Sequence, residues 1–146
     1  MDIAELLIRE GVRDTIARYN ASGDQGDVPG LAGCFASDGV LAIKGRDPFV
    51  GPAAIVAGLT EVFHRDPDDV RPALGYLHHS VTTLHFVELT ASEVRTTSYF
   101  SVLTRVGLDH WGRYRDRLVP VDGRWLFARR EVATDGYAPD SLFGGG

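Results

Sequence analysis

Cysteine is almost absent from the sequence, which holds only Cys34 among its 146 residues. A single thiol excludes an internal disulfide and a cysteine-based zinc site, and it fits a reducing compartment. Long apolar runs are absent as well, since none approaches the ~20 residues of a membrane-spanning helix. The first residues include Asp2 and Glu5 where a secretory leader would carry positive charge. We therefore expect a cytoplasmic protein with no membrane partner.

Excess positive charge is missing too. Twenty Asp and Glu residues outweigh fifteen Lys and Arg residues, for a net charge of −5 with histidine neutral. This balance argues against a nucleic-acid partner. Arginines do cluster between Arg105 and Arg130, but acidic and apolar residues interrupt them. This pattern predicts the solvated face of a sheet.

The rest of the composition is that of an ordinary globular protein, with 44% hydrophobic and 24% charged residues. A chain of this length is expected to form one domain with a sizeable core. We assign residues 1–136 to that domain. Residues 137–146 form an irregular C-terminal tail that we expect to be partly disordered or to form a lid.

Helical patterns occupy the first half of the chain. Apolar side chains repeat at helical spacing along the first segment and place Tyr19 on its buried stripe, with Asp24 in the turn that follows. The predicted segments are helices at 3–21, at 27–35 and from Gly51-Pro52 onward, a short strand at 40–44, and loops at 45–50 and 66–75.

Strand patterns occupy the second half. Four long strands are predicted, at 78–88, 92–106, 110–121 and 124–134. Asp122-Gly123 is a strong signal for a tight hairpin between the last two, and residues 107–109 form the turn before them. Helices followed by a meandering antiparallel sheet indicate an α+β fold with the helices on one face of the sheet.

Two adjacent histidines stand at the start of the first long strand. Side chains alternate across a strand, so His78 and His79 face opposite sides, and the pattern alone does not say which side is covered. A neutral imidazole at the entry of a sheet is the best candidate for a general base in this sequence. A structural role is the alternative for either residue. His64 and His85 are interpreted as structural or surface residues, and His110-Trp111 as a strand-start pair at a pocket rim or interface.

The order of several short motifs resembles the SnoaL-like group of the nuclear transport factor 2-like superfamily, over nearly the whole chain. These motifs are Tyr19-x4-Asp24, Leu31-Ala-Gly-Cys-Phe35 before Asp38-Gly-Val40, Gly51-Pro52, His79-x2-Thr82-Thr83, Ser98-Tyr-Phe100, Gly112-Arg-Tyr114 and Asp122-Gly-Arg-Trp125. The resemblance implies a cystatin-like cone, in which a curved antiparallel sheet of four long strands plus short strands is wrapped by three N-terminal helices. Asp24 and His79 stand where the branch with scytalone dehydratase, lindane dehydrochlorinase and bile-acid 7α-dehydratase carries its catalytic residues.

The resemblance also implies a site. His79 matches the base of these relatives, and Asp24 matches the aspartate that orients it. Tyr19 matches a pocket tyrosine and Arg130 a pocket arginine, with Arg129 as the adjacent alternative. Asn20 stands where scytalone dehydratase has an aspartate, and the second histidine of that enzyme has no counterpart in residues 98–103. The resemblance therefore does not identify the substrate of this protein. From the residues alone, Asp24 could be a turn residue, Tyr19 a core aromatic and Arg130 a member of a surface ion pair.

The expected chemistry is proton abstraction by His79, followed by elimination or by reprotonation elsewhere, without a cofactor and without a metal. The substrate is expected to be small and hydrophobic, with polycyclic and aromatic compounds as the candidates. Its aromatic walls are predicted to be Phe35, Phe49, Phe63, Phe86, Phe100 and Trp125. The alternatives are a polyketide cyclase or ketosteroid-isomerase-like enzyme that uses Asp24 as the base, and a non-catalytic ligand-binding or assembly module. A homo-oligomer, dimer or trimer, is expected.

Overall fold

The computed structural model describes residues 1–63 and 75–144, and within these ranges the chain forms three helices and six strands. The helices are α1 (Ile3–Asp24), α2 (Val28–Ala32) and α3 (Pro52–Phe63), and the strands are β1 (Phe35–Ile43), β2 (Phe49–Val50), β3 (His78–Leu89), β4 (Val94–Thr104), β5 (Gly107–Val121) and β6 (Arg124–Tyr137). The strands form one sheet in the order β2-β1-β6-β5-β4-β3. None of the helices in these ranges is long and apolar enough to cross a membrane.

Helix α1 begins at a side-chain cap and is amphipathic. The Asp2 carboxylate accepts a hydrogen bond from the backbone N–H of Glu5 at 2.8 Å, which satisfies one of the free donors of the first turn. Arg9 pairs with Glu5 one turn later. From Val12 onward one stripe of the helix is buried, and this stripe carries Tyr19 toward the sheet. Leu6, in the first turns of the helix, is 53% exposed, so the apolar stripe of α1 becomes buried only after this residue.

The alternation of side chains along β4 defines the two faces of the sheet. Val94, Thr96, Ser98, Phe100, Val102 and Thr104 are all buried, and they define the inner face. Helix α1 packs against β3 and β6, and α3 packs against β1. The outer face carries the exposed Arg113, Arg115 and Arg129. The predicted solvated sheet face is therefore this outer face.

The predicted α+β architecture is confirmed, and the four long strands β3 to β6 pair antiparallel as predicted. The expectation of a purely antiparallel sheet is wrong, because β1 pairs parallel to β6. Long-range pairing of this kind leaves no local sequence signal, since parallel neighbours are joined by long crossover connections.

Several predicted boundaries are also wrong. The second helix ends at Ala32 because Phe35 already pairs with Phe127 in the sheet. The strand predicted at 40–44 begins earlier, at Phe35, and contains a shift in register between Phe35 and Val40. The predicted loop 45–50 contains the short strand β2. Strand β5 begins at Gly107, where the glycine φ of +86° suits the end of a tight turn. The predicted loop 66–75 and His64 lie outside the described residues, except for Gly75.

Candidate active site

Asp24 and His79 meet where the end of α1 approaches the start of β3. Nδ1 of His79 lies 2.5 Å from Oδ1 of Asp24. The backbone N–H of His79 also donates to both carboxylate oxygens, at 3.2 and 3.1 Å. An ionised carboxylate only accepts hydrogen bonds, so the imidazole proton is on Nδ1. This leaves Nε2 as the basic nitrogen of the ring.

The surroundings of His79 favour the neutral imidazole. Its pKa is lowered from 6.5, chiefly because burial disfavours the charged form. The hydrogen bond and the charge of Asp24 act in the opposite direction, and the positive charges of His110 and Arg130 add to the lowering. At neutral pH the ring is therefore uncharged, with its single proton on Nδ1, and can accept a second proton at Nε2.

His79 lies on the wall of a largely apolar cavity of about 170 Å³ between the helices and the inner face of the sheet. The lining residues come from both halves of the chain. They are Tyr19, Asn20, Gly23, Leu31, Ile43, Leu59, Val62, Leu77, His79, Phe100, His110, Tyr114, Val132, Thr134 and Phe143. Asp24 and His79 also line an open groove between α1 and β3. His79 therefore borders both the cavity and the groove, and Asp24 borders the groove.

Tyr19 and Tyr114 are the phenol side chains of this cavity. Burial raises the pKa of Tyr19 and of Tyr114, so that both hydroxyl groups stay protonated at neutral pH. The hydroxyl of Tyr114 donates to Oδ1 of Asn20 at 3.2 Å. The ring of Tyr19 packs edge-on against Tyr114, with the ring centres 6.2 Å apart. The hydroxyl of Tyr19 can therefore act as a hydrogen-bond donor beside the cavity, whereas the proton of Tyr114 is already donated to Asn20.

Arg130 faces inward but lies beneath the cavity wall and is not one of its lining residues. The guanidinium is fully buried and donates to both carboxylate oxygens of Asp116, from Nε at 2.9 Å and from Nη2 at 3.3 Å. Its central carbon lies 3.5 Å from the ring centre of Tyr114 and 4.2 Å from that of Tyr19. Arg129, the sequence alternative, is exposed on the outer face and pairs with Glu131.

Only one of the five described aromatic residues predicted to line the site does so. Phe100 lines the cavity, where its ring stacks on Tyr114. The other four pack elsewhere. Phe35 packs on Tyr19 and Phe127 in the core. The remaining three pack against helix residues: Phe49 against Gly58, Phe86 against Arg9 and Arg13, and Trp125 against Gly11. The side chain of Phe63 lies outside what the structure describes.

His110, which the sequence suggested for a pocket rim or interface, is a site residue to which sequence reasoning gave no chemical role. Its ring lines the same cavity as His79, and its Nδ1 lies 2.7 Å from Oδ1 of the buried Asp109. A signal was present: His110 stands two and four residues before Gly112 and Tyr114, which places all three on one face of a regular strand.

The profile of the SnoaL-like domain family matches residues 4–131. The chain belongs to this family. The resemblance seen in the sequence motifs is thereby confirmed. No curated protein sequence matches the chain significantly.

Solved structures agree with this assignment. The chain shares 34% identity with a structure from Catenulispora acidiphila in complex with S-DNPA, at a TM-score of 0.74, covering 88% of this SnoaL-like protein and 93% of the other. A putative scytalone dehydratase from Novosphingobium aromaticivorans is 19% identical, with a TM-score of 0.77 and coverages of 94% and 91%. A protein of unknown function with a cystatin-like fold, from Nostoc punctiforme, is 20% identical, with a TM-score of 0.72 and coverages of 90% and 93%.

Proposed function

We propose that this SnoaL-like protein is a cofactor-independent lyase or isomerase that removes a proton from a carbon next to a carbonyl group. The observation that carries the proposal is the 2.5 Å contact between Nδ1 of His79 and Asp24 at the wall of an apolar cavity. Asp24 holds the imidazole in the tautomer with a free Nε2 and stabilises the imidazolium that forms. Loss of a leaving group from the next carbon, or reprotonation elsewhere, completes the reaction.

The geometry supports His79 as the base over Asp24. Both carboxylate oxygens of Asp24 already accept hydrogen bonds from His79, so they are engaged in orienting that residue. Tyr19, on the cavity wall with its hydroxyl protonated, is the proposed hydrogen-bond donor to the enolate oxygen. We assign Arg130 the role of holding the Tyr19 and Tyr114 rings in place from beneath.

The cavity also indicates the size of the substrate. A volume of about 170 Å³ is close to the ~150 Å³ that encloses a benzene molecule. We therefore propose that the cavity takes one ring of a monocyclic or small bicyclic ketone, such as the carbonyl-bearing ring of a hydroxylated tetralone. An internal cavity also favours a small-molecule enzyme over a non-catalytic assembly module, for which a filled interior is expected. The structure from Catenulispora acidiphila contains a bound compound, S-DNPA, and this agrees with a ligand site in the family.

The test is the conversion of 3-hydroxy-1-tetralone to 1-naphthol, followed by product fluorescence. His79→Gln and Asp24→Asn are each expected to lower kcat/KM by about 10²–10⁴, the contribution of a positioned general base and of the carboxylate that orients it. His78→Gln is the matched control, because His78 is the exposed neighbour on the opposite face of β3. Full activity in His79→Gln would contradict the proposal.

A further inference from the structure

The cavity holds a second histidine–aspartate pair. His110 lies near the start of β5, and its ring lines the cavity together with His79. Its Nδ1 lies 2.7 Å from Oδ1 of Asp109, which leaves Nε2 available to a molecule in the cavity. The arrangement repeats that of His79 and Asp24, in which the carboxylate also holds Nδ1. Two imidazole rings, each held at Nδ1 by a carboxylate, therefore line the same cavity.

The sheet register places the two rings on the same face at a useful separation. His79 pairs directly with Val102 on β4, and Val102 pairs directly with His110 on β5. Directly opposite residues of an antiparallel sheet point to the same face, and adjacent strands are ~4.8 Å apart. The two Cα atoms are therefore roughly 10 Å apart. A six-membered ring lying between the imidazoles can contact both.

The carboxylate of Asp109 is built to stay ionised although it is fully buried. Burial alone raises its pKa, but hydrogen bonds outweigh this effect and lower it. The donors are the backbone N–H of Leu142 at 2.8 Å, the hydroxyl of Ser141 at 2.6 Å, His110 at 2.7 Å and the hydroxyl of Thr104 at 3.1 Å. The carboxylate of Asp109 therefore holds Nδ1 of His110 in a fixed position and leaves Nε2 as the other proton-carrying position of that ring.

The C-terminal tail completes the arrangement. Ser141 and Leu142 bind Asp109, and the ring of Phe143 lies 5.0 Å from the ring of His110 while also lining the cavity. Residues 141–143 of the tail therefore have two roles. They hold Asp109, which orients His110, and they form part of the cavity wall. A tail that only covered the cavity mouth would not need two hydrogen bonds to a buried carboxylate.

We propose that His110 is the general acid of the reaction, with Asp109 as its positioning residue. The inference rests on the proposed function of His79. His79 takes the proton from the carbon next to the carbonyl, and the electron pair of that bond forms the new carbon–carbon double bond. The bond to the leaving oxygen breaks, and Nε2 of His110 gives that oxygen its proton. The products are an unsaturated ketone and water, and solvent returns both histidines to their starting protonation states.

The test compares two leaving groups in one scaffold. Both 3-hydroxy-1-tetralone and 3-chloro-1-tetralone give 1-naphthol, but only the hydroxyl group needs a proton in order to leave. His110→Gln is expected to lower kcat about 100-fold or more on the hydroxy compound and less than about 5-fold on the chloro compound. His79→Gln is expected to lower both rates. A purely structural role of His110 would affect both substrates equally, and that result, or full activity on both, would overturn the inference.

The two ideas fail in different ways. If His79→Gln keeps its activity on both compounds, the proposed function fails. If His110→Gln lowers the rate equally for both leaving groups, only the role of His110 as general acid fails. A binding measurement covers the case in which neither tetralone is turned over. On titration with 1-naphthol, the imidazole NMR signals of His79 and His110 are expected to shift together, and unchanged His110 signals would overturn the inference.

Discussion

Removing Asp116 would leave the guanidinium of Arg130 without its counter-ion at the base of the cavity. Both side chains are fully buried, and Arg130 lies against three aromatic rings, at 3.5 Å from Tyr114, 4.2 Å from Tyr19 and 4.6 Å from Phe127. Burial raises the pKa of Asp116 to about 6, so the carboxylate is ionised at neutral pH. An uncompensated buried charge costs about 3–5 kcal/mol. Asp116→Ala should therefore remove a large part of the ~5–15 kcal/mol stability expected for a domain.

Thermal and urea unfolding, followed by circular dichroism, measure this effect. At about 2–4 °C per kcal/mol for a chain near this size, the loss amounts to a fall in Tm of about 6–20 °C. The double variant Arg130→Met/Asp116→Leu should recover most of it, because an apolar pair of similar volume needs no counter-ion. The exposed pair of Arg129 with Glu131 is the control, and Glu131→Ala should change stability by less than about 1 kcal/mol. An equally small effect of Asp116→Ala would refute the reasoning.

Three further results are expected. Because burial lowers the pKa of His79 and the neutral ring is the active form, kcat/KM for 3-chloro-1-tetralone, which needs no general acid, should rise with pH and reach half its maximum below pH 6.5; a midpoint above about pH 7 would count against it. Truncation after Ala138 should weaken 1-naphthol binding in a fluorescence titration, since the tail lines the cavity, and unchanged affinity would exclude that role. Gly112→Ala should lower Tm, because a Cβ there would lie 2.1 Å from the carbonyl oxygen of Ala133. Gly23→Ala meets only an ordinary 3.5 Å contact and should not lower it.

The parts of the fold that sequence analysis predicted correctly have strong local signals. The alternation of Val94, Thr96, Ser98, Phe100 and Val102 marks one buried face, and the structure buries all five. The dyad was predicted from motifs, because the spacing of His79 before Thr82-Thr83 follows the family pattern. Local patterns and family motifs thus located both the sheet and the candidate base.

The parts that were missed depend on which residues meet in three dimensions. An aromatic residue in a strand shows the same sequence pattern whether its ring fills the core, as Phe35 does, or lines the cavity, as Phe100 does. The pairing of His110 with Asp109 was obscured because residues 107–109 looked like a turn, whereas β5 already begins at Gly107. The burial of Arg130 depends on Asp116 from the neighbouring strand, and only the register between β5 and β6 brings these two residues together.

The central claim is that His79, oriented by Asp24, takes a proton from carbon, and hydrogen exchange of 1-tetralone in D2O tests it most directly. Exchange at the carbon next to the carbonyl needs a base but no leaving group, and NMR follows it as the loss of that proton signal. The unaltered protein and His78→Gln should accelerate exchange alike, and His79→Gln should reduce the rate to the background in buffer. Exchange at the unaltered rate in His79→Gln would contradict the account.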